Sequence, residues 1–165
     1  LSPWEAPSVF GTEGLGTGAA GTLRFVQESF VPFVVKHYAA ASDVPVVLGG
    51  YSLAGLFSLW SAYQTDLFAA VAAVSPSVWF PKWDEYAGKH AVQTERIYLS
   101  LGKREEKTRN RVMAAVGDRI REQYKQLQEQ GIQTTLEWNE GNHFQESDVR
   151  CAKAFIWCVR NLERS

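Results

Sequence analysis

Apolar residues along this chain alternate between two rhythms: short unbroken runs, and longer stretches spaced three or four apart. The first periodic stretch, 22–38, sets Leu23, Val26, Phe30, Phe33 or Val34 and Tyr38 at helical spacing, and predicts a helix bent at Pro32. VPVVLG, 44–49, is a continuous β-branched run of the kind that forms a strand buried on both faces. LAGLFSLWSAYQT, 53–65, is apolar almost all round and predicts a buried helix. LFAAVAAVS, 67–75, predicts a second buried strand, ending at Ser75-Pro76-Ser77. PKWDEYAGKH, 81–90, reads as a loop with one helical turn, and RIYLSLG, 96–102, as a third strand. A long amphipathic helix is expected over 108–131, with Val112 or Met113, Val116, Ile120, Tyr124 and Leu127 on one stripe and Gly131 as its stop. IQTTLEWNEG, 132–141, predicts a fourth strand. The last helix, 146–163, is expected to turn Ala152, Phe155, Ile156, Val159 and Leu162 inward. Residues 1–21, rich in Gly, Pro, Ser and Thr, read as loop.

Strands that alternate with helices, each connection long enough for a crossover, imply a parallel sheet covered on both faces, an α/β fold in three layers. In such sheets function gathers beyond the carboxyl ends of the strands. Four segments stand there: Gly49-Gly50-Tyr51-Ser52, Ser75-Pro76-Ser77, Lys103-Arg104-Glu105-Glu106 and Gly141-Asn142-His143. A serine, a carboxylate and a histidine thus end three strands in the chain order Ser, acid, His, the order of the α/β-hydrolases.

Each has a chemical reason to be there. Ser52 lies between Gly50 and Ala54, small residues two before and two after it, as a sharp strand-to-helix turn requires. At the start of the next helix, the N–H of Leu53 and the helix dipole can stabilise an oxyanion. A serine at this place can also be no more than a helix cap. His143 is the candidate general base, since a hydroxyl nucleophile needs one and imidazole titrates in the right range. The other histidines, His37 and His90, read as surface residues. For the acid that orients the ring, both Glu105 and Glu106 qualify by position, Glu105 being preferred; Asp84, Glu140 and Asp148 are weaker candidates.

Five segments in order, LSPW, GGYSLAGLFSLW, AAVSPSVWF, YLSLGKREEKTRN and LEWNEGNHF, together resemble the esterase group of α/β-hydrolases that includes esterase D (S-formylglutathione hydrolase) and the enterobactin-type siderophore esterases. The resemblance runs over nearly the whole chain. It implies a three-layer α/β-hydrolase fold, with Ser52 as nucleophile, His143 as base and Glu105, at the Gly-x-x-acid position, as third member. It also implies that Trp79 lies near the pocket; with Tyr51, beside the nucleophile, it is the expected substrate-binding side chain. Two departures stand out. Ala54 replaces the usual glycine. The domain, 1–165, also looks N-terminally incomplete: no strand-like run precedes residue 44, so strands that flank the elbow strand and the loop that donates a second oxyanion N–H are expected upstream. A homodimer covering the bare strand edge is the alternative.

Composition narrows the classes. The 165 residues are 45% hydrophobic, 21% charged and carry a formal charge of -1, which suits one globular domain and gives no electrostatic reason to expect nucleic acid or an anionic membrane as partner. No apolar run approaches the roughly 20 residues that span a bilayer. The N-terminus has neither the pattern of a signal peptide nor an initiator Met. Cys151 and Cys158, seven apart on one helix, would sit ~10 Å apart at ~1.5 Å rise, too far for a disulfide, and suggest a cytoplasmic setting. GLGTGAAG has no strand before it and is not expected to bind a dinucleotide. No metal or cofactor is expected. Trp4, Trp79 and Trp83 are candidates for an aromatic pocket, though such residues are more often core. The expected activity is hydrolysis of a small-molecule carboxylic ester or thioester through an acyl-enzyme. An acyltransferase on the same site and a non-catalytic scaffold are the competing readings.

Overall fold

A computed structural model describes residues 1–8, 12–39 and 41–163. Residues 9–11, part of the expected N-terminal loop and the first Gly of its glycine-rich run, lie outside the described residues. Four strands, β1 (Val46–Tyr51), β2 (Phe68–Val74), β3 (Arg96–Gly102) and β4 (Gln133–Asn139), form one wholly parallel sheet in the order β1-β2-β3-β4. The helices are α1 (Ala19–Phe25), α2 (Val31–Tyr38), α3 (Leu53–Ser61), α4 (Trp83–Lys89), α5 (Arg111–Ala114), α6 (Val116–Glu129) and α7 (Ser147–Leu162).

The pleat sorts the strand residues into two cores, because successive side chains point to opposite faces. Val71, Ala73, Ile97, Leu99 and Leu101 face α3 and α6, where they meet Leu56, Leu59, Ile120 and Leu127. Ala70, Ala72, Val74 and Tyr98 face α7, where they meet Ala154 and Cys158. The sheet is therefore the middle of three layers, as its unbroken apolar strands predict.

Four expectations need correction. The first helix is not simply bent at Pro32: α1 and α2 are joined by a π-helical turn, Val26–Phe30, and Pro32 sits in the first turn of α2. Proline cannot donate to the preceding turn, so the chain widens ahead of it. The 81–90 stretch holds a full helix, α4, anchored by the buried Trp83, whose indole N–H donates to Gln123 Oε1 at 2.9 Å. The 108–131 helix is two pieces. Asn110 caps α5 by accepting from the N–H of Val112 and Met113, and the chain turns at Ala115 before α6 begins. Val112 is consequently exposed, while Val116, Ile120 and Leu127 are buried.

The largest correction concerns α7. Phe155, Ile156 and Val159 are exposed, and the residues that are buried are Arg150, Ala154 and Cys158, an i, i+4 row. Close approach decides this. Small Ala154 and Cys158 let α7 lie against the alanines of β2, which bulkier residues would hold off. Cys151 and Cys158 are both free thiols, as their spacing requires.

Candidate active site

Between β1 and α3 the chain turns so sharply that Ser52 takes φ 60° and ψ -121°, a left-handed conformation that non-glycine residues rarely adopt. The small neighbours make this turn possible. A Cβ on Gly50 would run into the carbonyl of Ala54 and come within 2.8 Å of Ala54 Cβ. With glycine at 50, alanine is tolerated at 54. Gly55 is the tighter position on the helix side: a Cβ there would lie 2.9 Å from Val74 O and 3.1 Å from the Pro76 α-carbon. The turn is tied to β2 by Ser52 N–H donating to Val74 O at 3.0 Å, and Ser77 N–H donates to Ser52 O at 3.1 Å. Leu53 is the first residue of α3, so its N–H has no acceptor within the helix.

The three segments that end β1, β3 and β4 converge. Ser52 Oγ lies 3.0 Å from His143 Nε2, and His143 Nδ1 lies 2.7 Å from Glu105 Oε2. Glu105 is buried and His143 is 23% exposed, so the hydroxyl end of the series opens to solvent and the carboxylate end does not. Glu105 and Glu106 share a 3₁₀ turn, Glu105–Lys107, and part there: Glu105 points in, whereas Glu106 pairs with Arg121 at the surface. Glu105 Oε1 accepts from the Gly102 N–H at 2.7 Å and from Ser75 Oγ at 2.7 Å. Burial pushes the Glu105 carboxyl up, but the bonds from His143, Ser75 and the Gly102 N–H outweigh it and hold the group below its ordinary value. The remaining acidic candidates are elsewhere: Asp84 pairs with Arg119, Glu140 with Lys103, and Asp148 lies in the exposed first turn of α7.

Other expected residues divide. Trp79 lines a cleft of about 280 Å³ beside His143 and Glu105, together with Lys107, Thr108, Met113, Val116, Asn142 and Phe144. Tyr51 is close but engaged with the protein: its hydroxyl donates to His143 O at 2.7 Å, and its ring lies 5.2 Å from the imidazole. The bond fastens the loop that presents His143. Trp4 and Trp83 belong to an aromatic cluster with Phe80, Tyr63 and Tyr86, away from the cleft. His37 and His90 are exposed at the ends of α2 and α4. A larger concavity of about 1020 Å³, between α7 and β4, holds none of the converging groups.

Two contributors were not anticipated. Ser75, at φ 43°, ends β2 with its hydroxyl on Glu105. Arg150, 1% exposed, reaches from α7 to Glu105 Oε1 at 2.9 Å. Its i, i+4 spacing to Ala154 and Cys158 was the available signal, masked by the rule that a charged helix residue faces water.

Residues 2–147 match the family model described as "Putative esterase". The chain belongs to this esterase family. Solved structures agree on the fold. The siderophore hydrolase EstA of Aspergillus nidulans superposes with a TM-score of 0.73 at 22% identity, over 96% of this chain and 62% of that one. An IroE-like serine hydrolase of Shewanella oneidensis gives 0.68 at 19% identity, over 84% and 47%. The enterobactin esterase FES of Shigella flexneri gives 0.65 at 22%, over 87% and 39%. The chain thus spans roughly two-fifths to three-fifths of these relatives' lengths. A curated relative, a "Probable cytosol aminopeptidase" of Chlorobaculum parvum, is 36% identical over 69 residues, 41% of this chain and 14% of that one. Among the described residues no helix is long and apolar enough to cross a membrane, and no group of three or more His, Cys, Asp or Glu side chains is placed to hold a metal ion.

Proposed function

We propose that this esterase-family chain carries a serine hydrolase site that cleaves small carboxylic esters or thioesters through an acyl-enzyme. The observation that carries the reading is the unbroken series Ser52 Oγ, His143, Glu105, at 3.0 and 2.7 Å. Ser52 Oγ attacks the carbonyl carbon while its proton passes to His143 Nε2. Glu105 keeps the ring in the tautomer that bears its proton on Nδ1, and balances the imidazolium as it forms. A carboxyl held below its ordinary value is ionised at neutral pH, as this role requires. The Leu53 N–H, at the positive end of α3, stabilises the oxyanion. Collapse of the tetrahedral intermediate expels the alcohol or thiol, which takes the proton from Nε2. Water, deprotonated by the same nitrogen, then releases the acid and restores Ser52. Trp79 and the cleft beside His143 hold the substrate. No cofactor takes part in these steps.

The names borne by the structural neighbours, siderophore hydrolase and enterobactin esterase, agree with ester cleavage as the reaction class. Turnover of p-nitrophenyl acetate tests the reading. The protein should hydrolyse it with Ser52→Ala and His143→Ala each reduced to the background rate. Undiminished turnover in a folded Ser52→Ala protein would remove Ser52 from the mechanism.

A further inference from the structure

Arg150 is an unusual residue to find where it is. It is a guanidinium 1% exposed, on the face of α7 that packs against the sheet. A buried cation of this kind is tolerated only when paired and hydrogen-bonded. Its two terminal nitrogens serve different segments. Nη1 donates to Glu105 Oε1 at 2.9 Å, to the Tyr51 hydroxyl at 3.2 Å and to Ser75 Oγ at 3.4 Å. Nη2 donates to two carbonyls of the loop that presents His143, Glu140 O at 2.7 Å and Asn142 O at 3.1 Å. Gly102 leaves the space for this convergence: a Cβ there would lie 2.8 Å from Arg150 Nη2 and 2.9 Å from Glu105 Oε1.

We propose that Arg150 is a positioning residue, which sets the acid and the base of the site against each other by holding Glu105 with one nitrogen and the His143 loop with the other. The inference rests on the hydrolase reading for its kinetic consequences, but the arrangement itself does not need turnover. With Arg150, Ser75 and the Gly102 N–H all on Oε1, that oxygen is filled and Oε2 alone is left for His143. The hydroxyl of Tyr51, which accepts from Arg150 and donates to His143 O, adds a second tie to the same loop. Arg150 lies behind Glu105 and does not itself line the cleft; it reaches the wall only from behind, through Glu105, Ser75 and Asn142, so it acts through the triad members and not on substrate.

The charge has a definite direction of effect. The guanidinium competes with a protonated imidazole for the Glu105 carboxylate. Without it, the Glu105–His143 pair takes up its first proton at higher pH, whichever member holds it. The other charged groups nearby are committed elsewhere or set on the wall. Glu106 pairs with Arg121, Glu140 with Lys103, Arg104 donates to Gln145, and Lys107 lines the cleft. Tyr51 and Ser75 meet the pair through hydroxyl hydrogen bonds.

Two variants separate charge from reach. Arg150→Met removes the cation at similar volume. Arg150→Lys keeps a cation but offers one nitrogen where two are needed. In Arg150→Met the acid limb of kcat/KM should move up by about one pH unit, the lower end of what a nearby charge does. In Arg150→Lys the limb should return toward wild type. In both, kcat on the plateau should fall about 10²-fold, the scale of a 1 Å misplacement, with KM little changed. NMR titration of the ring signals gives a reading independent of turnover: the His143 signal should move in Arg150→Met, with His37 and His90 as unmoved controls. If Arg150→Met does not fold, Arg150→Lys alone decides, by a lowered kcat plateau on an unmoved limb. A wild-type protein without turnover whose His143 signal still moves would defeat the hydrolase reading and leave this one standing. Normal turnover with an unmoved limb and ring signal in Arg150→Met, or a wild-type kcat in Arg150→Lys, would overturn it.

Discussion

Exchanging Glu105 for glutamine tests the tautomer logic with the smallest possible change. The side-chain amide can face His143 in two ways. If its carbonyl faces the ring, its NH₂ takes the Oε1 position, where the Gly102 N–H and Arg150 Nη1 both point as donors. Two buried donors then lose their acceptor, at about 1–3 kcal/mol each. If its NH₂ faces the ring, Gly102, Ser75 and Arg150 keep their acceptor, and His143 avoids a clash by moving its own proton from Nδ1 to Nε2. The second arrangement costs less, so it prevails. It places an N–H on Ser52 Oγ, 3.0 Å away, where a base is required. The expected loss in kcat is about 10⁴-fold, the size recorded when a triad acid is made its amide in another serine hydrolase. That corresponds to ~5.5 kcal/mol of barrier. Initial rates of p-nitrophenyl acetate hydrolysis at pH 8, with circular dichroism to verify folding, measure it. A folded Glu105→Gln protein with kcat within tenfold of wild type would refute the reasoning.

Two further outcomes follow from the same geometry. Gly50→Ala should lower the melting temperature, because its methyl is driven into the Ala54 carbonyl; a cost of about 2 kcal/mol, within the overpacking range, implies a fall of roughly 4–8 °C by scanning calorimetry. Glu105 should stabilise the fold in a pH-dependent way. Its folded carboxyl titrates below its ordinary value, so its contribution is full above about pH 4.3 and is lost as the pH falls through the lower folded value; urea midpoints of wild type and Glu105→Gln should converge over that acid range.

How much of this the sequence discloses depends on the kind of signal. The strands are legible because a sheet covered on both faces demands continuous apolar runs, and little else in a chain of this length does. The residues beyond the strand ends are legible because parallel topology sends them all to one edge. The choice between Glu105 and Glu106 stays open in the letters; the Gly102 N–H, three residues back, decides it by offering Glu105 a bond inside the turn. The inward face of α7 is misread because it follows size rather than apolarity: Ala154 and Cys158 pack inward while Phe155 and Ile156 stay exposed. Arg150 is hidden for the same reason. A buried arginine is legible only once its partners, the Glu105 carboxylate and the two loop carbonyls, are known to lie opposite it. Tyr51 carries a second tie of this kind: its place beside the nucleophile is legible, but the bond its hydroxyl donates to His143 O is not.

The central claim is that Ser52 is the nucleophile, and covalent capture tests it most directly. After reaction with a fluorophosphonate, intact mass should rise by one adduct, and peptide mapping should place that adduct on Ser52, with none formed in Ser52→Ala. An adduct on another residue, or labelling that survives the substitution, would contradict the account.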